Sequence, residues 1–149
     1  MAHLHEKIDF CVEVFIVYNN KVLLRIHDKY KKYLSVGGHI EFDEDPNQAA
    51  IREVREEVGL DIELFDEKEY PQIDTDEYAE LIPPQALNRH HISPTHEHIA
   101  LTYFARTKTD KLILSATEKT EGCHWFSDDE LDDPKYNISE HIKRYAHTA

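Results

Sequence analysis

The chain has 149 residues, a formal net charge of −13 and 40% hydrophobic residues. That length fits one domain with a real core, and the apolar content excludes a disordered chain. The acidic balance argues against a nucleic-acid backbone or an anionic membrane as partner, and leaves room for a small polyanion whose charge is offset locally by metal ions.

Taken in order, the N-terminus has no apolar targeting core, and no run approaches membrane length. Residues 8–17 read as a mostly buried strand, Asn19-Asn20 as a turn, and residues 21–27 as a returning strand. Residues 28–32 form a Lys-rich connector, and residues 34–40 a short extended piece broken by Gly37-Gly38. A helix is expected over residues 46–58. Asp45 caps it, Pro46 takes its first position, Gln48 completes a capping box and Gly59 stops it. Residues 61–65 are β-like. Residues 66–95 are polar, carry Pro71, Pro83, Pro84 and Pro94, and read as one long loop or insertion. Residues 98–106 and 111–114 read as a second hairpin, residues 123–126 as a last strand, 128–131 as a helical turn and 138–146 as a C-terminal helix. Strands flanking a helix in this order indicate an α/β fold, a mixed β-sheet sandwiched by helices, over the single domain 1–149. Cys11 and Cys123 lie in apolar strand-like segments and read as thiols of a reducing compartment, which points to the cytoplasm.

The chemistry concentrates between Gly38 and Leu60. Gly38 is followed after five residues by Glu44, and after seven more by Arg52-Glu53-Val54-Arg55-Glu56-Glu57-Val58-Gly59-Leu60. On a helix, Ala50, Ile51, Val54 and Val58 make one apolar stripe. Glu53, Glu56 and Glu57, spaced i, i+3, i+4, share an adjacent face. Like charges there repel; Arg52, four before Glu56, offsets part of the excess, and a divalent cation would neutralise the rest. A charge run alone is usually a solvated helix face. The register of Gly38, Glu44, Arg52 and Gly59 with the acids makes that reading the weaker one here.

This segment resembles the Nudix box, and every specified position is matched. The resemblance implies an α/β/α sandwich with a mixed β-sheet and Mg²⁺-dependent hydrolysis of a diphosphate linkage, with Mn²⁺ as the alternative ion. It implies metal ligation by Glu53, Glu56 and Glu57 with the Gly38 carbonyl, and box-positioning roles for Glu44, Arg52 and Gly59. It also implies a general base on the loop before the last strand, where Glu118 is the first choice and Glu121 the second acid; Glu53 and Glu57 are the alternatives on the helix. Val36 and Asp43 depart from the proline and glycine common in the family, at positions the box does not specify.

Around the box, Arg25 and Arg89 are the basic residues expected to reach phosphate, while Lys29, Lys31 and Lys32 read as solvated. Tyr78 lies 18 residues beyond Leu60 (78 − 60 = 18), a spacing similar to that of the dinucleoside polyphosphate group. Residues 66–95 are expected to form the substrate-selecting rim. His90, His91, His96 and His98 gather with Glu97, but no cysteine or further acidic pair stands at ligand spacing, so cleft-edge and strand-start roles are favoured over zinc. The expected partner is a small phosphate-containing substrate, with no nucleic acid and no membrane; a homodimer stays open. Two rivals remain: a non-catalytic nucleotide-sensing domain, against which the intact box weighs, and an RNA-cap hydrolase, disfavoured by the lack of a basic stripe.

Overall fold

The computed structural model describes residues 6–27, 31–68, 72–114 and 122–149. Strand β1 (Ile8–Tyr18) is the centre of an eight-stranded mixed sheet. Asn19 and Asn20 adopt φ of 48° and 59°, which suits a tight turn, and β2 (Lys21–Ile26) returns antiparallel with Tyr18 opposite Lys21. Strand β3 (Tyr33–Leu34) and the later β8 (Cys123–Phe126) both pair with β2. Strand β4 (Val36–His39) lies antiparallel on β1, with Gly38 opposite Val12 and His39 opposite Cys11. On its other side β1 runs parallel to β7 (His96–Thr107) over ten residue pairs, from Ile8 opposite Glu97 to Val17 opposite Arg106. Two further strands complete the pairing of β7: β5 (Ile62–Leu64) along its C-terminal part and β6 (Ala86–Ser93) along its N-terminal part.

Alternation along the strands divides the core into two layers. Val12, Val14, Ile16, Leu23, Val36, Tyr103 and Ala105 pack with Ala49, Ala50, Val54 and Val58 of helix α1 (Pro46–Val58). The intervening Phe15, Val22, Leu24, Phe104 and Phe126 meet Leu131 of α2 (Asp128–Leu131) and Ile142 and Ala146 of α3 (Glu140–Thr148). The architecture is the expected α/β/α sandwich. No helix of the described residues is long and apolar enough to cross a membrane.

Two expectations are corrected. Residues 66–95 are not one continuous loop: residues 86–93 form β6, an edge strand, and it is β6 that makes the hairpin with β7. The strand escapes detection because its residues are mostly half-exposed or exposed and polar, so no apolar alternation marks it. Residues 111–114 form no strand; the Ile113 N–H instead donates to the Val58 carbonyl, laying this segment across the end of α1.

Candidate active site

Helix α1 starts and stops as the sequence dictates. The Asp45 side chain accepts from the Gln48 N–H, and the Gln48 side chain accepts from the Asp45 N–H. Gly59 ends the helix in the left-handed region with φ 69°, its N–H donating to the Arg55 carbonyl. A Cβ there would stand 2.4 Å from the Ile113 carbonyl oxygen, so crowding adds to the backbone requirement.

The acids of α1 are held by two arginines. Arg52 grips Glu44 through two bonds, Nε to Oε2 at 2.8 Å and Nη2 to Oε1 at 2.6 Å. Its Nη1 reaches Glu53 at 3.0 Å and Glu56 at 3.1 Å, and its Nη2 also donates to the His39 carbonyl at 3.0 Å. One guanidinium therefore ties the turn before the helix, the end of β4 and two box acids together. The paired Arg52 holds the Glu44 carboxyl below its ordinary range. Arg25, from β2, donates to Glu57 at 2.6 Å, with both side chains mostly buried.

Glu53 is the most enclosed of the three, only 3% exposed. Burial pushes its carboxyl above the ordinary carboxylate range, against the opposing pull of Arg52. Gly38 is the reason this carboxylate fits: a Cβ at Gly38 would lie 2.4–2.7 Å from the Glu53 carboxylate atoms. The missing side chain leaves a cradle between a strand backbone and a carboxylate. An all-oxygen donor set of this kind suits a hard divalent cation, so the residues fit the metal implied by the box.

The chain carries the sequence profile of the NUDIX domain over residues 10–147. The chain belongs to the Nudix hydrolase family. It is accordingly a hydrolase acting on pyrophosphate bonds. A Nudix-family hydrolase from Clostridium perfringens is similar at 35% identity over 94% of each chain, with a TM-score of 0.81. Two more distant structures share the fold. A MutT Nudix hydrolase from Burkholderia pseudomallei has 17% identity over 95% of this chain and 98% of its own, at a TM-score of 0.67. The Escherichia coli ORF135 protein has 18% identity over 95% and 88%, at a TM-score of 0.60. A search of curated proteins found no match.

The remaining expected site residues of this Nudix chain scatter. Arg25 reaches the box, where it pairs with Glu57. Arg89 is 71% exposed on β6 and pairs with Glu97 at 3.1 Å. Tyr78 is exposed in a turn closed by the Thr75 N–H and hydroxyl on the Tyr78 carbonyl. Glu118 and Glu121 lie outside the described residues.

Sequence reasoning missed two groups. Asn47, in the first turn of α1, clamps the backbone of Ile82 by donating to its carbonyl at 2.9 Å and accepting from its N–H at 2.8 Å. On the sheet face opposite α1, Asp9, Cys11, His39, His96 and His98 come together. The available signal was Asp9, one of two charges, with Glu13, in a strand that is apolar elsewhere. His98 is half-buried there, and this burial followed by the neighbouring His39, His90 and His96 pulls its imidazole down to about 4. Burial, reinforced by Asp9, Glu13 and Glu53, pushes the Cys11 thiol up to about 12.

Proposed function

We propose that this Nudix hydrolase is Mg²⁺-dependent and cleaves a diphosphate linkage in a nucleoside diphosphate joined to another group. The substrate class comprises nucleoside triphosphates, ADP-ribose, dinucleoside polyphosphates and nucleotide sugars. The observation that carries the reading is the Gly38–Glu53 cradle, with Arg52 bridging Glu44, Glu53 and Glu56 beside it. Glu53, Glu56 and Glu57 with the Gly38 carbonyl would hold the cation, which supplies charge for the phosphate oxygens and an acidified water.

The chain's own groups do the rest. A carboxylate, Glu118 in this reading, takes a proton as the water oxygen bonds to one phosphorus. The bridging P–O bond then breaks, and two phosphate-bearing products leave. Arg52 fixes the orientation of Glu53 and Glu56, so less reorganisation accompanies the reaction. Arg25 does the same for Glu57 and is positioned to pass to phosphate when Glu57 engages the cation. Arg89 and Tyr78 belong to the outer substrate contacts in this reading, and the segment from residue 66 to β6 to the selecting rim.

A screen of nucleotides with Mg²⁺ and analysis of the phosphate products identifies the substrate. On that substrate Glu56→Gln and Glu57→Gln are expected to lose roughly 10²-fold or more in turnover while remaining folded. Glu118→Gln is expected to lose turnover with Mg²⁺ affinity retained. Near wild-type rates in the two helix variants would remove the metal assignment. A silent Glu118→Gln beside an inactive Glu53→Gln that still binds metal would move the base onto α1.

A further inference from the structure

Across β4 from the box, the sheet carries a second set of ligand-bearing side chains. Strand alternation turns Gly38 toward Glu53 and sends the next side chain, His39, through to the opposite face. The register of β1 with β4 and β7 places Asp9 opposite His98 and Cys11 opposite His39. Two overlapping triads result, Asp9–His96–His98 and Cys11–His39–His98, each with its ligand atoms within 4.8 Å of one another. Asp9 is 0% exposed, and His39 and His96 are 6% exposed. A carboxylate so deeply buried requires compensation by a cation or by strong donors.

The hydrogen-bond arithmetic of His96 limits what that compensation is. Its Nδ1 stands 3.0 Å from the Glu6 carbonyl, which only accepts, so Nδ1 carries the proton. Its Nε2 lies 3.1 Å from Asp9 Oδ2. In the neutral imidazole these are two lone pairs facing each other, and a cation between them, a proton or a metal ion, reconciles them. An imidazole that donates its outer N–H to a backbone carbonyl while presenting the other nitrogen inward is the usual arrangement of a metal-ligating histidine. The neighbouring separations agree. His39 Nε2 is 3.3 Å from His98 Nε2 and 3.5 Å from Asp9 Oδ2. Tetrahedral coordination with bonds of about 2.0–2.1 Å sets ligand atoms about 3.3–3.4 Å apart.

We propose that Asp9, His96 and His98 bind one Zn²⁺-class ion, distinct from the cation of the box, with His39, 3.5 Å from Asp9, turning in as the fourth ligand and Cys11 lying beside it. Imidazole ligands favour zinc, cobalt or nickel over magnesium, whereas the box acids have the reverse preference. Four protein ligands, three of them buried and His98 half-buried, describe a structural ion that pins β1, β4 and β7 to one another. Through β4 it would also hold the Gly38 backbone against Glu53.

The test uses the full chain stripped with a chelator and titrated with Zn²⁺ or Co²⁺ against a chromophoric competitor in excess Mg²⁺. The wild type and a Glu53→Gln/Glu56→Gln/Glu57→Gln variant are both expected to retain one tightly bound ion per chain. Co²⁺ should give the intense visible bands of tetrahedral coordination. His98→Ala and His96→Ala are expected to weaken that binding by roughly 100-fold or more and to lose the bands. A folded box variant that binds no ion overturns the proposal, whether or not the histidine variants fold. So does a His98→Ala protein that keeps the same stoichiometry and affinity. Because the readout is binding, loss of hydrolysis leaves it untouched.

Discussion

Glu53 shows what a buried carboxylate in the box costs the fold. Its carboxylate is buried against Gly38 and held by Arg52, yet burial outweighs that help and raises its pKa above the ordinary value. A folded-state pKa above the unfolded one means the native state binds the proton more tightly. Stability is therefore fullest below the unfolded value and falls as pH rises through the raised one. At neutral pH, without a divalent ion, the charged Glu53 opposes folding. Glu53→Gln, which keeps the shape and removes the charge, is expected to melt at a higher temperature than wild type at pH 7 in chelator, while its Mg²⁺-dependent turnover collapses. Thermal unfolding at pH 4 and pH 7 checks the sign, since the advantage should shrink at the lower pH. A variant that melts lower at pH 7 would show that its bond to Arg52 outweighs the burial penalty. Glu44 behaves oppositely: Arg52 lowers its pKa, so its contribution is present above the unfolded value and lost as pH falls through the depressed one.

The C-terminal elements carry a separate pH dependence. Ser127 and Glu130 form a capping box that starts α2, so even this one-turn helix is specified locally. Helix α3 is then tied to it by His147, whose ring nitrogens stand 3.0 Å from Asp128 and 3.1 Å from Asp132. The Asp132 and Asp128 hydrogen bonds raise the His147 pKa above 6.5. This stabilisation is present in full below the unfolded value and disappears as pH rises through the raised one. Both aspartates are well exposed, so the effect is small, under about 1 kcal/mol. His147→Ala is expected to lower the urea midpoint at pH 5.5 and to leave it unchanged at pH 9. An equal loss at both values would point to packing of α3 as the cause.

At the scale of the whole molecule, the segment between β5 and β6 is anchored to the helix that bears the box acids. Asn47 holds Ile82 through two backbone bonds, and its Nδ2 also lies 3.3 Å from the Tyr103 hydroxyl. The Ile82 backbone is thereby fixed to the start of α1. Asn47→Ala removes both bonds and is expected to cost about 1–3 kcal/mol. If the rim selects substrate, the same change raises KM and broadens the range of nucleotides cleaved, with kcat for the best substrate nearly unchanged. An unaltered KM and selectivity in the folded variant would detach the rim from recognition.

Local rules were sufficient for much of this chain. The box spacing, the capping box at Asp45, the proline at the helix start and the glycine at its end are short-range features, and each is realised in α1. The pairing of Arg52 with Glu44 and Glu56 was also legible, because helix periodicity and an eight-residue span bring these groups within reach. Edge strand β6 was not legible, because its exposed polar residues carry no period and only β7 gives its backbone a partner. Nor was the histidine cluster. His96 and His98 were visible, but their fellow ligands stand far away in sequence, Asp9 87 residues before His96 and His39 59 residues before His98. The parallel pairing of β1 with β7 and the antiparallel pairing of β1 with β4 bring these side chains to one buried face. Sheet pairing acts across the chain, whereas motif spacing records only what one helix or turn can reach. The box therefore belongs to the sequence, and the second cluster exists only once the sheet has formed.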